Sequence, residues 1–150
     1  MKLPIVIAVI LACCPIAGAA DYEAECWLAS GDPNGTRAAG TMKLVAAPTL
    51  SLASGGDASL LVGGHVKIGG EMVPVGRELE VKTTTADSGA VTVRLVLKLH
   101  SVVGAPGAQQ VTTAREETVA TIQPGGTVRV QIGRDPKKLQ WADVTVRKLK

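Results

Sequence analysis

Few residues of this 150-residue chain could carry chemistry: two histidines, His65 and His100; the cysteine Cys26; the adjacent carboxylates Glu116-Glu117; and the series Glu78, Glu80, Lys82. Neither histidine has cysteines or carboxylates at metal-ligand spacing. His65 follows Gly63-Gly64 in a bend, and His100 ends a strand on its polar face, so both read as surface residues. Cys26 has no histidine near it in sequence to act as its base. No serine sits in a nucleophile elbow. Glu116 and Glu117 are neighbours on an extended stretch, where successive side chains point to opposite faces, so they cannot line one site. Glu78, Glu80 and Lys82 share a face and read as a solvated stripe. The glycine pairs lack the Gly-Lys-Ser/Thr and the helix start that phosphate cradles need. Basic residues interleaved with aromatics, as single-stranded nucleic acid would require, are missing. The residues point to no catalytic, cofactor-binding or metal-binding role, hence to a non-enzymatic protein without a cofactor.

Basic residues crowd the end of the chain: Arg134, Lys137, Lys138, Arg147, Lys148 and Lys150, with Asp135 and Asp143 against them. One reading is a solvated edge strand whose cations block edge-to-edge pairing. The other is a binding patch for phosphate or anionic lipid. The overall formal charge of +3 implies neither nucleic acid nor an acidic substrate.

The start of the chain has the layout of a secretory signal peptide. Lys2 is a short positive region, an apolar run covers residues 3–11, and Ala17-Gly18-Ala19-Ala20 is a small-residue cleavage site. The run is shorter than the roughly 20 residues a membrane-spanning helix needs. Cleavage near Ala20 gives an exported chain, periplasmic or extracellular, without a transmembrane span. A second reading takes Ile10-Leu11-Ala12-Cys13 as a loose lipobox, with Cys13 as a lipid anchor. After cleavage near Ala20, Cys26 is the one cysteine left. It is then buried, with Trp27 beside it, or paired between chains.

Residues 21–40 read as an N-terminal extension carrying the turn cluster Ser30-Gly31-Asp32-Pro33-Asn34-Gly35. Residues 41–150 read as one all-β domain. Met42, Leu44 and Ala46 alternate with Thr41, Lys43 and Val45, and Ala58, Leu60 and Val62 begin another strand. Gly69-Gly70 joins two short runs as a hairpin turn, which Pro74 and Gly76 close. The clearest strand places Val91, Val93, Leu95, Leu97 and Leu99 on one face, and Thr92, Arg94, Val96, Lys98 and His100 on the other. Residues 104–110 form a loop. Residues 112–122 are threonine-rich and extended, Pro124-Gly125-Gly126 turns into a strand at 127–132, and Val144 and Val146 lie on a last strand. Strands at about ten-residue spacing with glycine turns predict an antiparallel β-sandwich or small open barrel. With no Phe, one Tyr and two Trp, the core must be aliphatic, with Trp27 and Trp141 dominating local packing. The scarcity of aromatics argues against an autonomous outer-membrane barrel with its aromatic girdles.

The order of these motifs resembles the C-terminal domain of bacterial secretins, the secretion-pore family. Leu44-Val45-Ala46-Ala47-Pro48-Thr49-Leu50 comes first, followed by Gly55, Ala58 and Leu60-Leu61-Val62-Gly63. Val75-Gly76-Arg77-Glu78-Leu79-Glu80-Val81 and Gly89-Ala90-Val91-Thr92-Val93-Arg94-Leu95 come next, and residues 113–119 with Pro124-Gly125-Gly126-Thr127-Val128 end the series. The resemblance covers about residues 44–132. It implies a β domain whose strands join those of neighbouring subunits. The ring-building domains that precede the pore module in that family have no counterpart here, and the space between Gly63 and Gly76 is too short for gate and membrane-spanning insertions. The resemblance therefore implies a reduced, secretin-like module with a structural or assembly role in the bacterial cell envelope. It would pair by strand addition with itself or with a larger secretin-like protein. The alternative is a soluble, secreted β-sandwich that binds a protein, glycan or lipid through residues 104–110 or the basic end.

Overall fold

A computed structural model describes residues 11–13, 21–36 and 38–149. Most of the stretch read as a leader, with its cleavage site, lies outside the described residues, as does Lys150 of the basic end. The strands are β1 (Leu11–Cys13), β2 (Tyr22–Gly31), β3 (Met42–Ala46), β4 (Thr49–Leu52), β5 (Asp57–Ile68), β6 (Glu71–Thr85), β7 (Val91–Val103), β8 (Gln110–Ile122), β9 (Thr127–Ile132) and β10 (Leu139–Lys148). They form two antiparallel sheets. The long sheet has the order β1-β5-β6-β7-β8, and the short one the order β3-β2-β10-β9, with β4 also paired to β2. This is an all-β sandwich, and the sheets do not close into a barrel.

Period-two alternation aims one face of each sheet at the other. Leu60, Leu79, Val81, Val91, Val93, Leu95 and Leu97 from the long sheet meet Ala24, Cys26, Leu28, Val130, Ala142, Val144 and Val146 from the short one, all 0–1 % exposed. Each of these valines and leucines contributes roughly 1.5–3 kcal/mol by leaving water. Tyr22 closes one end of the core through a hydrogen bond between its hydroxyl and that of Thr85.

Three sequence expectations are corrected. Residues 21–40 do not stand apart from the domain: β2 is the centre of the short sheet, pairing with β10 on one side and with β3 and β4 on the other. Its inward set of Tyr22, Ala24, Cys26 and Leu28 is what makes it a core strand. Trp27 does not pack beside Cys26. Burying Cys26 turns the next side chain to the opposite face, and Trp27 is 48 % exposed while Trp141 is buried. Pro74 does not end the first hairpin either, because β5 and β6 stay paired from Asp57↔Lys82 to Ile68↔Glu71. Pairing of β6 with β7 stops at Gly76↔His100. Pro74 therefore lies where β6 is an edge strand and a missing N–H is tolerated.

The long sheet thus outruns its partner. Beyond Gly76 and His100 the β5–β6 and β7–β8 hairpins continue as separate prongs. Arg77, next to that fork, donates from Nε and Nη2 to Oε1 of Gln140 at 3.0 and 2.5 Å, tying the prong base to the start of β10. Gly63 and Gly76 face each other across the β5–β6 pair at φ +154° and +112°. A Cβ on Gly76 would land on the carbonyl oxygen of Val62, and one on Gly63 on that of Val75. Gly69 and Gly70 form the tip at φ +59° and +88°, both positive as a type I′ turn requires, with open space around them.

Gly76→Ala and Gly70→Ala separate strain from clash. Gly70→Ala carries only the left-handed backbone cost of about 1–2 kcal/mol. Gly76→Ala adds a collision with backbone, so it should unfold at clearly lower temperature than Gly70→Ala in a circular-dichroism melt. Equal melting temperatures would contradict the close approach at the fork.

Candidate functional site

The face of the long sheet turned away from the core carries a connected row of charges. β6 contributes Glu78 and Glu80, β7 contributes Arg94, Lys98 and His100, and β8 contributes Thr113, Arg115 and Glu117. The register brings them together: Glu78↔Lys98, Lys98↔Arg115, Gly76↔His100, His100↔Thr113 and Arg94↔Val119. Arg94 donates from Nε to Glu117 Oε1 at 2.7 Å and from Nη2 to Oε2 at 3.1 Å, and Arg115 Nη2 adds a bond of 2.8 Å to Oε2. Lys98 Nζ donates to Glu80 Oε1 at 2.5 Å and lies 3.6 Å from Glu78 Oε1. His100 bridges strands, with Nε2 2.9 Å from Glu78 Oε2 and Nδ1 2.9 Å from Thr113 Oγ1. Because a carboxylate only accepts, Nε2 is the protonated nitrogen here. Val96, in the middle of this face, is only 1 % exposed. The aliphatic stems of charged neighbours can cover it while their heads stay in water.

The electrostatics follow from these bonds. The Arg94 and Arg115 guanidinium groups hold the Glu117 carboxyl at about 2, against an ordinary 4.5. The hydrogen bond to Glu80 holds Lys98 above its usual range, and that to Glu117 does the same for Arg94. These groups are largely solvated, so they fix register and orientation more than they add stability. Burial pushes the Cys26 thiol up to about 12. Its thiolate is therefore absent near neutral pH, and with it the nucleophilic form.

The residues singled out in sequence are placed as follows. His100 meets a carboxylate, whereas His65 is exposed on β5 opposite Pro74. Glu116 and Glu117 do point to opposite faces, opposite Leu97 and Val96 on β7. Among the described residues the basic residues of the end are not gathered together. Arg134, Lys137 and Lys138 lie in the β9–β10 turn, and Arg147 and Lys148 at the other end of β10. Ten residues of strand at about 3.3 Å each put the two groups roughly 30 Å apart. Arg147 is also paired with Glu25 at 3.2 Å. Among the described residues, no three His, Cys, Asp or Glu side chains group as metal ligands would. No helix of the described residues is long and apolar enough to cross a membrane.

Among the described residues the outer sides of β5 and β8 are left partly or wholly unpaired. Among the described residues β8 has a partner on one side only. On its outer edge β5 is met only at Leu61, Leu60 and Ser59, by the backbone of Leu11–Cys13, a segment within the stretch read as a leader. The edges are long for exposed strands, at 13 residues in β8 and 12 in β5. Sequence reasoning found these strands and their alternation but could not say which two of them would be edges.

No family model matches the chain, and no curated protein matches it. Solved structures do. The InvG secretin domain β-barrel of the Salmonella SPI-1 injectisome is similar with a TM-score of 0.52 at 8 % identity, over 89 % of this chain and 64 % of that one. The type II secretin GspD from enteropathogenic Escherichia coli is similar with a TM-score of 0.49 at 11 % identity, over 88 % of this chain and 66 % of that one. The chain thus spans slightly less than two thirds of each of these proteins, and at such identities the likeness is one of fold. The fold is that of a secretin-like β domain.

The paired charges make a pH prediction. Glu117 titrates lower in the folded chain than its ordinary 4.5, so its contribution is complete above that pH and is lost as pH falls towards 2. Carbon-detected NMR should find the Glu117 carboxyl midpoint near 2, rising towards the ordinary value in Arg94→Leu. A wild-type midpoint in the usual carboxylate range would show that the Arg94–Glu117–Arg115 pairing does not persist in solution.

Proposed function

We propose that this chain is an exported, non-enzymatic, secretin-like β-domain protein with a structural or assembly role in the bacterial cell envelope. The observation that carries the reading is the unit β5-β6-β7-β8, in which, among the described residues, β8 lacks an outer neighbour and β5 has one only at Ser59, Leu60 and Leu61. Four alternating strands leave β5 and β8 running in opposite directions. The β8 edge of one copy can then pair antiparallel with the β5 edge of the next, without a break in the alternation. Such a head-to-tail contact uses two different surfaces, and it closes into a ring when the rotation per copy allows. The likeness in fold to the InvG secretin β-barrel supports the same arrangement.

The rest of the chemistry is consistent with assembly rather than catalysis. The charged row fixes the register of the three strands that would be held in a wall, and the buried thiol is kept out of reaction. A larger secretin-like envelope protein offering a free strand is the natural partner besides a second copy.

Light scattering coupled to size exclusion should find an assembly of several copies whose mass rises with concentration before it plateaus. A monomer at high concentration would sink the proposal.

A further inference from the structure

The outer face of the short sheet is a second surface, which the assembly reading leaves unused. Its register sets Trp27 of β2, Asp143 of β10 and Arg129 of β9 in one row across three strands. The rows beside it hold Glu25, Thr145 and Thr127 on one side, and Ala29, Trp141 and Gln131 on the other. Arg129 donates from Nε and Nη2 to the two carboxylate oxygens of Asp143 at 2.6 and 2.7 Å. The same guanidinium lies 5.5 Å from the Trp141 ring centre, which stiffens it from below. Trp141 itself is packed with Ala29, Leu139 and Met42, so it is foundation and not contact surface. The Thr127 and Thr145 hydroxyls are bonded to each other at 2.7 Å. Trp27 stands out of this grid, 48 % exposed.

We propose that this face is a shallow saccharide-binding platform for an extended, neutral pyranose chain, with Trp27 as the stacking ring and the Asp143–Arg129 fork as the hydroxyl-binding group. A pyranose presents an apolar C–H face ringed by hydroxyls. An exposed indole on a flat sheet matches the first, and a fixed pair of donors and acceptors matches the second. Strands about 4.8 Å apart put the indole and the fork within reach of adjacent sugar rings. The charges favour a neutral ligand: Arg129 is neutralised by Asp143 and Arg147 by Glu25, so neither of these cations is spare for a phosphate or a nucleic acid. A protein interface would deplete charge around its central aromatic, whereas here the neighbours of Trp27 are Asp143, Glu25 and hydroxyls.

The test is calorimetric titration of the folded protein with chito-, cello- and malto-oligosaccharides, all neutral and linear. At least one should bind, with a Kd of about 10 μM to 1 mM as suits a shallow site. Trp27→Ala should weaken that binding at least tenfold, Trp27→Phe should retain part of it, and Met72→Ala, at an exposed position of β6 and so on neither β5 nor β8, should leave it unchanged. The size of the assembly should be the same in all three variants, so this site can fail without the assembly reading failing. No binding of any of the three sugars, or equal binding by Trp27→Ala, would overturn the platform. So would a Trp27→Ala protein whose assembly size changes, since Trp27 would then be a protein contact.

Discussion

The structure depends on the two-sided burial of β7. It lies between β6 and β8 in the long sheet, and Val91, Val93, Leu95 and Leu97 on its inner face are 0–1 % exposed. With no Phe in the chain and no disulfide at Cys26, stability rests on close packing of small aliphatic side chains. Removing the end of one of them, as in Leu95→Ala, has a typical cost of about 2–5 kcal/mol. That is a large share of the 5–15 kcal/mol by which most domains are stable. The opposite face of β7 is closed differently. Val96 is buried on the side that carries Arg94 and Lys98, and paired charges hold that side in register.

A mismatch of lengths follows from the same constraint and gives the molecule its edges. The short sheet covers the long one only as far as the Arg77–Gln140 tie. Beyond it, past the facing Gly63 and Gly76, each hairpin goes on alone. A sandwich of equal sheets would have protected more of its outer strands. Here β5 and β8 are long and carry mixed charges: His65 and Lys67 on one, Arg115, Glu116 and Glu117 on the other. Such residues discourage random pairing but admit a partner whose charges fit.

Much of this was legible in sequence wherever one physical rule acted alone. Alternation over residues 91–100 gave a half-buried strand, Gly69-Gly70 gave a turn, and the motif order gave a secretin-like β domain. The reading failed where two rules competed. Across residues 22–28 the inward set includes an alanine and a cysteine while the largest ring points outward, so hydrophobicity concealed a strand that the parity of positions would have revealed. Pro74 was read as a stop because local propensity disfavours proline in a ladder, whereas the tertiary fork leaves that part of β6 unpaired on one side. The basic end looked like one patch because sequence proximity does not record that β10 separates its two halves by its whole length. The grid of Trp27, Asp143 and Arg129 could not be seen at all, since it needs β2, near the start of the described chain, to pair with β10 of the closing β9–β10 hairpin.

The central claim is that copies of this chain join through the β8 edge of one and the β5 edge of the next. Disulfide mapping with single cysteines at Ser59, Leu61 and His65 on β5, mixed with others at Thr113, Arg115 and Val119 on β8, tests it directly. Within one chain these edges are three strand spacings apart, about 14 Å, too far for a bridge, so any β5–β8 bridge joins two chains. The account predicts such bridges for pairs whose residue numbers sum to a nearly constant value, as antiparallel pairing requires. Bridges only between like edges, or none between edges at all, would contradict it.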